Sequence, residues 1–264
     1  MQNHLSAKLL AEFIGTFAFV FIGAGAAAVV GTGAGLNGIA AIAFAHGLTI
    51  MVFAFAYGNL SGAHFNPAVT VGVLAARAMS LGEAIGYIIS QLVAAACAAF
   101  LLRAVLGGVA TGLGRPELAQ NVVLGTTTLM ITPEAGFVIE AVLAFFLVIV
   151  VLTTAVAGSA GNLAPIAIGM TLTFNILMGG ALTGAPFNPA RALGPMIATA
   201  NFTNAWLYVT APIVGALVAA LIHKAMKLLA EDGKAYQQQV LRAGAHLSAR
   251  PEAQQTDERR TARS

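Results

Sequence analysis

Charged residues and cysteines are scarce in this sequence of 264 residues. Only 9% of the residues are charged and 58% are hydrophobic, whereas about a quarter of the residues are charged in a typical soluble domain. This composition argues against a water-soluble fold. The single cysteine, Cys97, excludes an intrachain disulfide. The first 223 residues carry five basic and five acidic side chains, so the net charge of +3 comes from residues 224–264. This small positive net charge is no argument for a nucleic-acid partner.

Long apolar stretches dominate the first 226 residues. A bilayer core of about 30 Å needs roughly 20 apolar residues in a helix, and six stretches meet this requirement. They are Leu9–Val30, Gly38–Tyr57, Gly82–Leu106, Gly136–Val156, Ala164–Met178 with its flanks, and Trp206–Met226. Six spans place both termini on one side, and the slight excess of Lys and Arg on that side favours cytoplasmic termini. We predict one transmembrane channel domain over residues 1–230 and a flexible cytoplasmic tail over 231–264, where apolar residues are sparse.

A nine-residue motif occurs twice in the chain. Ser61-Gly-Ala-His-Phe-Asn-Pro-Ala-Val69 recurs 122 residues later as Thr183-Gly-Ala-Pro-Phe-Asn-Pro-Ala-Arg191. Glu12 and Glu140 also correspond, each near the start of the first span of its half. The chain is therefore a duplication, with repeats at about 8–106 and 135–226. Because each repeat has three spans, the second must enter the membrane from the opposite side, which makes the repeat inverted.

Each Asn-Pro-Ala sequence begins a short stretch that suits a helix, Pro67–Ala76 and Pro189–Thr199. About ten residues give roughly 15 Å of helix, half of the hydrocarbon thickness. Asn suits the N-cap and Pro the first helical position. We therefore predict two re-entrant half helices whose N-termini meet at the midplane. Irregular backbone at this depth must be covered by protein or line a watery cavity, so a pore is expected; loops that merely plug the bundle are the alternative.

The side chains at this meeting point favour neutral solutes. Asn66 and Asn188 each bring an amide that can donate to a passing oxygen. Two helix N-termini create a positive potential that opposes cations and hydronium. Arg191 costs at least ~2.5–3.5 kcal/mol to place in a membrane, so we expect it to face the cavity and exclude cations. A structural arginine paired with a carboxylate is the alternative.

Glu12 and Glu140 allow two interpretations. They could couple protons in a carrier, or they could accept hydrogen bonds from the re-entrant loops. Their symmetric positions favour structural support of the loops, and we give His64 of the first motif the same role. The glycine pattern Gly33–Gly38 joins two apolar spans and lacks the strand and helix of a dinucleotide site. We predict that the chain is no enzyme and holds no cofactor and no metal.

Together, the two Asn-Pro-Ala motifs, the paired glutamates and Arg191 closely resemble the major intrinsic proteins, the aquaporin family, over about residues 8–226. The resemblance implies an all-α integral membrane protein with the aquaporin-like fold, six transmembrane helices plus two re-entrant half helices. It also implies a homotetramer in membrane lipid with one pore per subunit, and passive passage of water and small neutral solutes. The pore motifs are then Asn66, Pro67, Ala68, Asn188, Pro189 and Ala190.

The resemblance also assigns the selectivity filter, which in this family takes one residue from the second span, one from the fifth and two from the second motif. The matching positions here are His46, Ile176, Ala185 and Arg191. This set is similar to that of plant tonoplast-type members, which pass water together with ammonia and, in some cases, urea or peroxide. Those members also carry a histidine in the third loop, which residues 107–135 lack.

Water is therefore the first-ranked substrate, and ammonia is a further candidate. Glycerol ranks lower, because glycerol facilitators usually have aspartate after the arginine, where this chain has Ala192. An inverted-repeat secondary transporter is the alternative from another class. The arginine-rich and alanine-rich tail suggests a prokaryotic plasma membrane.

Overall fold

The computed structural model describes residues 2–31, 35–124 and 126–248. Nine α-helices form in these ranges: α1 (Gln2–Ala18), α2 (Gly25–Val30), α3 (Gly35–Ser61), α4 (Pro67–Ala75), α5 (Leu81–Val105), α6 (Pro133–Val150), α7 (Ala164–Thr183), α8 (Pro189–Thr199) and α9 (Ala205–Ser248). A π-helical segment, Phe19–Ala24, joins α1 to α2, and another, Val151–Val156, extends α6. Single 3-10 turns occur at Gly112–Gly114 and Gly161–Leu163. Strands β1 (Val122–Leu124) and β2 (Thr127–Leu129) pair antiparallel between α5 and α6.

Six of the described helical segments are long and apolar enough to cross a membrane, as the sequence predicts. They are Leu5–Val30, Gly38–Ser61, Leu81–Val105, Pro133–Val156, Gly161–Thr183 and Ala205–Asp232. Two of them begin earlier than the apolar run because a polar side chain caps the helix, Ser80 before Leu81 and Thr132 before Pro133. Thr132, for example, accepts a hydrogen bond from Ala135 N at 3.3 Å and Pro133 occupies the first turn. The predicted fold class is confirmed, and the β-hairpin is an addition to it.

The two remaining short helices, α4 and α8, are the predicted half helices. They have 9 and 11 residues, which corresponds to roughly 14 and 17 Å at about 1.5 Å per residue. Neither can cross a hydrocarbon core of about 30 Å alone. Helix α4 ends at Ala75, one residue before the predicted end, because Ala76 leaves the helical conformation with ψ near 0°.

The second spans of the two repeats pack directly on each other. Helix α3 lies along α7, and Gly47 allows the close approach, since a Cβ there would lie 2.6 Å from the Gly169 carbonyl oxygen. Helix α5 contacts both α1 and α8. Another face of α3 exposes large apolar side chains at helical spacing, namely Phe44, Leu48, Val52 and Phe55. An apolar exterior around a packed interior is typical of a helix bundle in lipid.

The chain divides into two compact units, Met1–His223 and Lys224–Ser264. The first unit contains both Asn-Pro-Ala motifs and all the residues predicted to form the pore. In the second unit the helical assignment reaches Ser248, and Glu231 and Asp232 are exposed. Residues 249–264 of the predicted tail lie outside the described residues. A flexible tail over 231–264 therefore stays a prediction.

Candidate functional site

The two Asn-Pro-Ala motifs begin the half helices with the same local geometry. Asn66 is extended, and its side-chain Oδ1 accepts from Ala68 N at 2.8 Å. Asn188 is extended as well, and its Oδ1 accepts from Ala190 N at 3.0 Å and from Arg191 N at 3.2 Å. Each asparagine thus satisfies donors that the first turn of a helix leaves unpaired. The caps fix the direction in which both amides point.

Each of these amides also binds the loop of the other repeat. Asn66 Nδ2 donates to the carbonyl of Phe187 at 3.1 Å, and Asn188 Nδ2 donates to the carbonyl of Phe65 at 2.9 Å. The two bonds bring the N-termini of α4 and α8 together. An amide group carries two N–H donors, so the second N–H of each asparagine has no partner among the described residues. These two donors are available to a solute at the meeting point.

Glu12 supports the first re-entrant loop through four hydrogen bonds. Its Oε1 accepts from Ser61 Oγ at 2.7 Å and from His64 N at 2.9 Å. Its Oε2 accepts from Phe65 N at 2.7 Å and from Gln91 Nε2 at 2.8 Å. The carboxylate is fully buried, and a buried carboxylate needs such partners to offset its desolvation.

Glu140 supports the second loop with fewer partners. It accepts from Thr183 Oγ1 at 2.5 Å and from Phe187 N at 2.7 Å. Pro186 stands where the first motif has His64, and proline has no backbone N–H to donate. The two repeats therefore hold their loops unequally, although the two glutamates occupy equivalent places.

The side chain of His64 braces the first half helix. Thr70 Oγ1 donates to the carbonyl of Asn66 at 3.1 Å, so its only hydrogen is in use. The 3.1 Å contact between His64 Nδ1 and Thr70 Oγ1 is therefore a bond in which the histidine donates. The ring also meets Tyr87 edge to face, with centroids 5.2 Å apart.

Three supporting residues were not predicted from the sequence. Tyr87 donates its hydroxyl to the carbonyl of Ser61 at 2.7 Å, and Tyr208 donates to the carbonyl of Thr183 at 2.9 Å. The tyrosines lie 21 and 20 residues beyond Asn66 and Asn188, so the repeat itself carried a signal for them. Gln91, the third, bonds Glu12 and has no polar counterpart in the second repeat.

His46 and Arg191, from the predicted constriction, are in direct contact. His46 Nδ1 lies 2.8 Å from the carbonyl of Ile42, which can only accept. Arg191 Nε donates to His46 Nε2 across 3.4 Å. Both bonds form only if the imidazole is neutral, with its hydrogen on Nδ1. Each of the two residues is 2% exposed.

Among the described residues, the guanidinium of Arg191 has one further hydrogen-bond partner, in the connection between α5 and α6. Its Nη1 donates to the carbonyl of Gly114 at 2.7 Å. The guanidinium is thus held from two sides, by a histidine of α3 and by a loop carbonyl. The arginine is not ion-paired with Glu12 or Glu140: the salt bridges of the described residues join Lys8 to Glu83 and Arg115 to Glu117.

The other two predicted constriction residues are apolar and buried. Ile176 and Ala185 are each 2% exposed and belong to one apolar cluster with Phe19 and Phe187. Ala185 N donates to Thr183 Oγ1 at 3.1 Å, which fixes the loop that carries it. The four positions therefore contribute a polar pair in mutual contact and two apolar side chains.

A cavity of about 750 Å³ opens beside the first re-entrant loop. Ser61, Gly62, Ala63 and His64 lie along it. The ion pair of Lys8 with Glu83, 2.7 Å long, also lines this cavity. Within the described ranges, no group of three or more His, Cys, Asp or Glu is arranged to hold a metal.

The chain is similar in sequence to known membrane proteins. The family described as major intrinsic protein matches residues 2–223. Maize "Aquaporin NIP3-1" is 35% identical over 231 residues, 87% of this chain and 73% of its own length. "Probable aquaporin TIP3-2" of Arabidopsis thaliana is 39% identical over 230 residues, 82% of each chain.

A bacterial relative and a solved structure extend the comparison. "Glycerol uptake facilitator protein-like 6" of Lactiplantibacillus plantarum is 38% identical over 225 residues, 83% of this chain and 97% of its own length. The aquaglyceroporin of Plasmodium falciparum superposes with a TM-score of 0.71 at 23% identity, covering 86% of this chain and 99% of that one. This last similarity concerns the fold.

Proposed function

The chain belongs to the major intrinsic protein family, whose members are integral, multi-pass membrane channels rather than enzymes, and from this premise we propose that it conducts water passively and excludes ions and protons. The two asparagine amides carry the proposal. Each keeps one N–H that no described residue accepts, and each is fixed by a cap and by a bond to the opposite loop. A water molecule between them would accept from both amides.

Such a water molecule could not relay protons along the pore. Its oxygen would face the two asparagines, so its hydrogens would point away from them, and a continuous donor chain would be interrupted. The N-termini of α4 and α8 add a positive potential at the same place. Arg191 adds a permanent charge nearby. These three features together disfavour hydronium and metal cations.

We assign His46, Ile176, Ala185 and Arg191 to the narrowest part of the pore. The lone pair of His46 Nε2 is engaged by Arg191, so the histidine offers little hydrogen bonding to a solute. Ile176 and Ala185 add apolar surface and, at Ala185, a small side chain. A filter of this kind suits water and also ammonia, which forms weaker hydrogen bonds than water. Ammonia conduction is the finer part of this proposal.

Glycerol facilitation is the second candidate function. One specific observation favours it: the relative named as a glycerol uptake facilitator is covered over 97% of its length at 38% identity. The small Ala185 leaves room for a three-carbon polyol. Against it, both ring nitrogens of His46 are already bonded, and Ile176 and Ala185 offer no polar side-chain group, so Arg191 alone would have to bind three hydroxyl groups.

The assembly and location belong to the same proposal. We place the chain in a homotetramer within a prokaryotic plasma membrane, with both termini in the cytoplasm. Support comes from the large apolar side chains exposed on the outer face of α3 and on α7, such as Phe44 and Phe174. These faces would meet lipid or a neighbouring subunit.

Stopped-flow light scattering on proteoliposomes tests the proposed function. Osmotic shrinkage reports water flow, swelling in a glycerol gradient reports glycerol flow, and internal alkalinisation in an ammonium gradient reports ammonia flow. We expect rapid water flow that rises linearly with the gradient and has a shallow temperature dependence. Saturation with a steep temperature dependence would indicate a carrier instead.

The double variant His46→Phe with Ile176→His separates the candidate solutes. It replaces the apolar fifth-span position with a donor and acceptor and adds bulk opposite Arg191. We expect water flow in both proteins and ammonia flow only in the wild type. Equal ammonia flow in wild-type and empty liposomes contradicts the ammonia assignment and leaves a water channel.

A further inference from the structure

A short segment of the connection between α5 and α6 contacts both repeats. We name residues 111–118 the strap. Its Leu118 is buried against Leu207 and Tyr208, and Pro116 packs on Gly184, where an added Cβ would lie 2.9 Å from the Pro116 Cα. Just beyond the strap, Ala119 N donates to the carbonyl of Leu182 at 2.8 Å. The strap thus lies against the loop that carries Ala185 and leads into α8, the helix of Arg191.

Leu113 anchors the centre of the strap. Its side chain is fully buried, in a cluster with Val20 and Ala24 of the first repeat and Ala190 of the second. Its backbone is in the left-handed region, with φ 52° and ψ 28°, which side chains other than glycine rarely adopt. An unfavourable backbone persists where surrounding contacts fix it. Burial of this leucine therefore sets the conformation of the strap.

Gly114, the next residue, makes the contact that matters for the pore. It has φ 68°, and an added Cβ would lie 2.3 Å from the Ala24 carbonyl oxygen. Its own carbonyl accepts from Arg191 Nη1 at 2.7 Å. That carbonyl belongs to the peptide unit that Gly114 shares with Arg115, one residue beyond Leu113. The backbone conformation that the buried Leu113 fixes therefore sets the place from which the Gly114 carbonyl points.

The other end of the strap is closed by a local ion pair. Arg115 binds the carboxylate of Glu117, and their side chains are 12% and 62% exposed. The N–H of Arg115 also donates to the carbonyl of Gly112 at 2.9 Å, which closes a tight turn around Leu113. The turn restricts the backbone at Gly114, whereas an ion pair with so exposed a glutamate adds little to this restriction.

We propose that Leu113 is a positioning residue for Arg191 and thereby determines which neutral solutes pass the constriction. The residue touches no solute. It acts by fixing the Gly114 carbonyl, which accepts a hydrogen bond from Nη1 of Arg191. His46 accepts the hydrogen bond from Nε of the same guanidinium. Loss of this support allows Arg191 to turn away from the pore axis and widens the filter. The inference rests on the proposed channel function.

The test is Leu113→Ala in proteoliposomes, with the glycerol-to-water permeability ratio as the readout. A cavity under the strap frees the Gly114 carbonyl, and we expect the ratio to rise roughly tenfold, which corresponds to about 1.4 kcal/mol. Leu113→Met keeps the buried volume and should restore the ratio to the wild-type value. The ratio separates positioning from a general loss of folded protein, which lowers both permeabilities together.

Leu102→Ala is the matched control. Leu102 is 3% exposed in the same apolar cluster but belongs to α5, not to the strap. The Leu102→Ala variant should lower the thermal unfolding temperature by about as much as Leu113→Ala and leave the glycerol-to-water permeability ratio unchanged. Equal ratios for Leu113→Ala and Leu102→Ala would overturn the proposal, as would no change in Leu113→Ala.

A double-mutant cycle tests whether Leu113 acts through Arg191. In an Arg191→Ala background, Leu113→Ala should have no further effect on the ratio, because the group that it positions is absent. A full effect in that background contradicts the proposal. Failure of the proposed function looks different: the wild-type protein would then conduct no more water than empty liposomes.

Discussion

Asn66 of the first repeat donates its side-chain amide to the backbone carbonyl of Phe187 in the second, over 3.1 Å and 121 positions of sequence. The reciprocal bond joins Asn188 to Phe65 at 2.9 Å. Each asparagine therefore caps its own half helix and also ties it to the other. The geometry of the loops and the pore chemistry that we propose depend on the same two side chains.

Asn188→Ala removes a cap and a bond between the repeats in one step. A lost N-cap costs about 1 kcal/mol, and the unpaired Phe65 carbonyl adds about 1–3 kcal/mol where water does not replace the amide. We expect a clear drop in the thermal unfolding temperature of the detergent-solubilised protein. Asn201→Ala is the control, since Thr203, in an exposed turn, is the one described residue that donates to the Asn201 side chain. A smaller drop for Asn188→Ala than for this control would be inconsistent with the cross-linked geometry.

Gln91→Leu tests the unequal support of the two loops. Gln91 donates to Glu12 at 2.8 Å and to Thr70 at 3.1 Å, and it is fully buried. A hydrogen bond to a charged group contributes about 1.5–3 kcal/mol, so we expect destabilisation of that order in unfolding measurements. Gln238→Leu, on an exposed position of α9, should change stability little. The prediction is wrong if Gln91→Leu and Gln238→Leu have the same stability in unfolding measurements.

Tyr87→Phe and Tyr208→Phe each delete one hydroxyl that holds a loop carbonyl. We expect each to lower stability by about 1 kcal/mol, and the double variant to show the sum of the two effects, because the tyrosines serve different loops. Tyr57→Phe is the control, since the Tyr57 hydroxyl makes no hydrogen bond with a described residue. Strong coupling between the two variants would show that the loops do not respond independently.

Ala185→Cys should make the channel sensitive to mercurials. Position 185 is buried at the assigned constriction, so a thiol adduct there would block the pore. The native Cys97 is exposed on α5, and we expect wild-type water flow to be unaffected. The same block should occur in Ala185→Cys with Cys97→Ala, and a reducing thiol should reverse it. Inhibition of the wild type would place Cys97 near the conduction path.

Sequence alone predicted the parts of this protein that depend on local physics. A hydrophobic run long enough for a bilayer, an Asn-Pro cap and a duplicated motif are properties of contiguous residues. They predicted the ends of the six membrane-spanning segments to within six residues and those of the two half helices to within one. The contact between His46 and Arg191 was expected only through the family resemblance, which places both residues in one filter.

Tertiary structure determined the contacts between residues that are far apart in sequence. The bonds of Asn66 and Asn188 to the opposite loops, the hydroxyl contacts of Tyr87 and Tyr208, and the strap around Leu113 all join positions far apart in sequence. The difference between Glu12, with four donors, and Glu140, with two, appears only once the loops are in place. Local sequence determines which helices form, because caps and hydrophobic length act within a segment. Which donor meets which acceptor depends on how the helices pack, and packing is a property of the whole bundle.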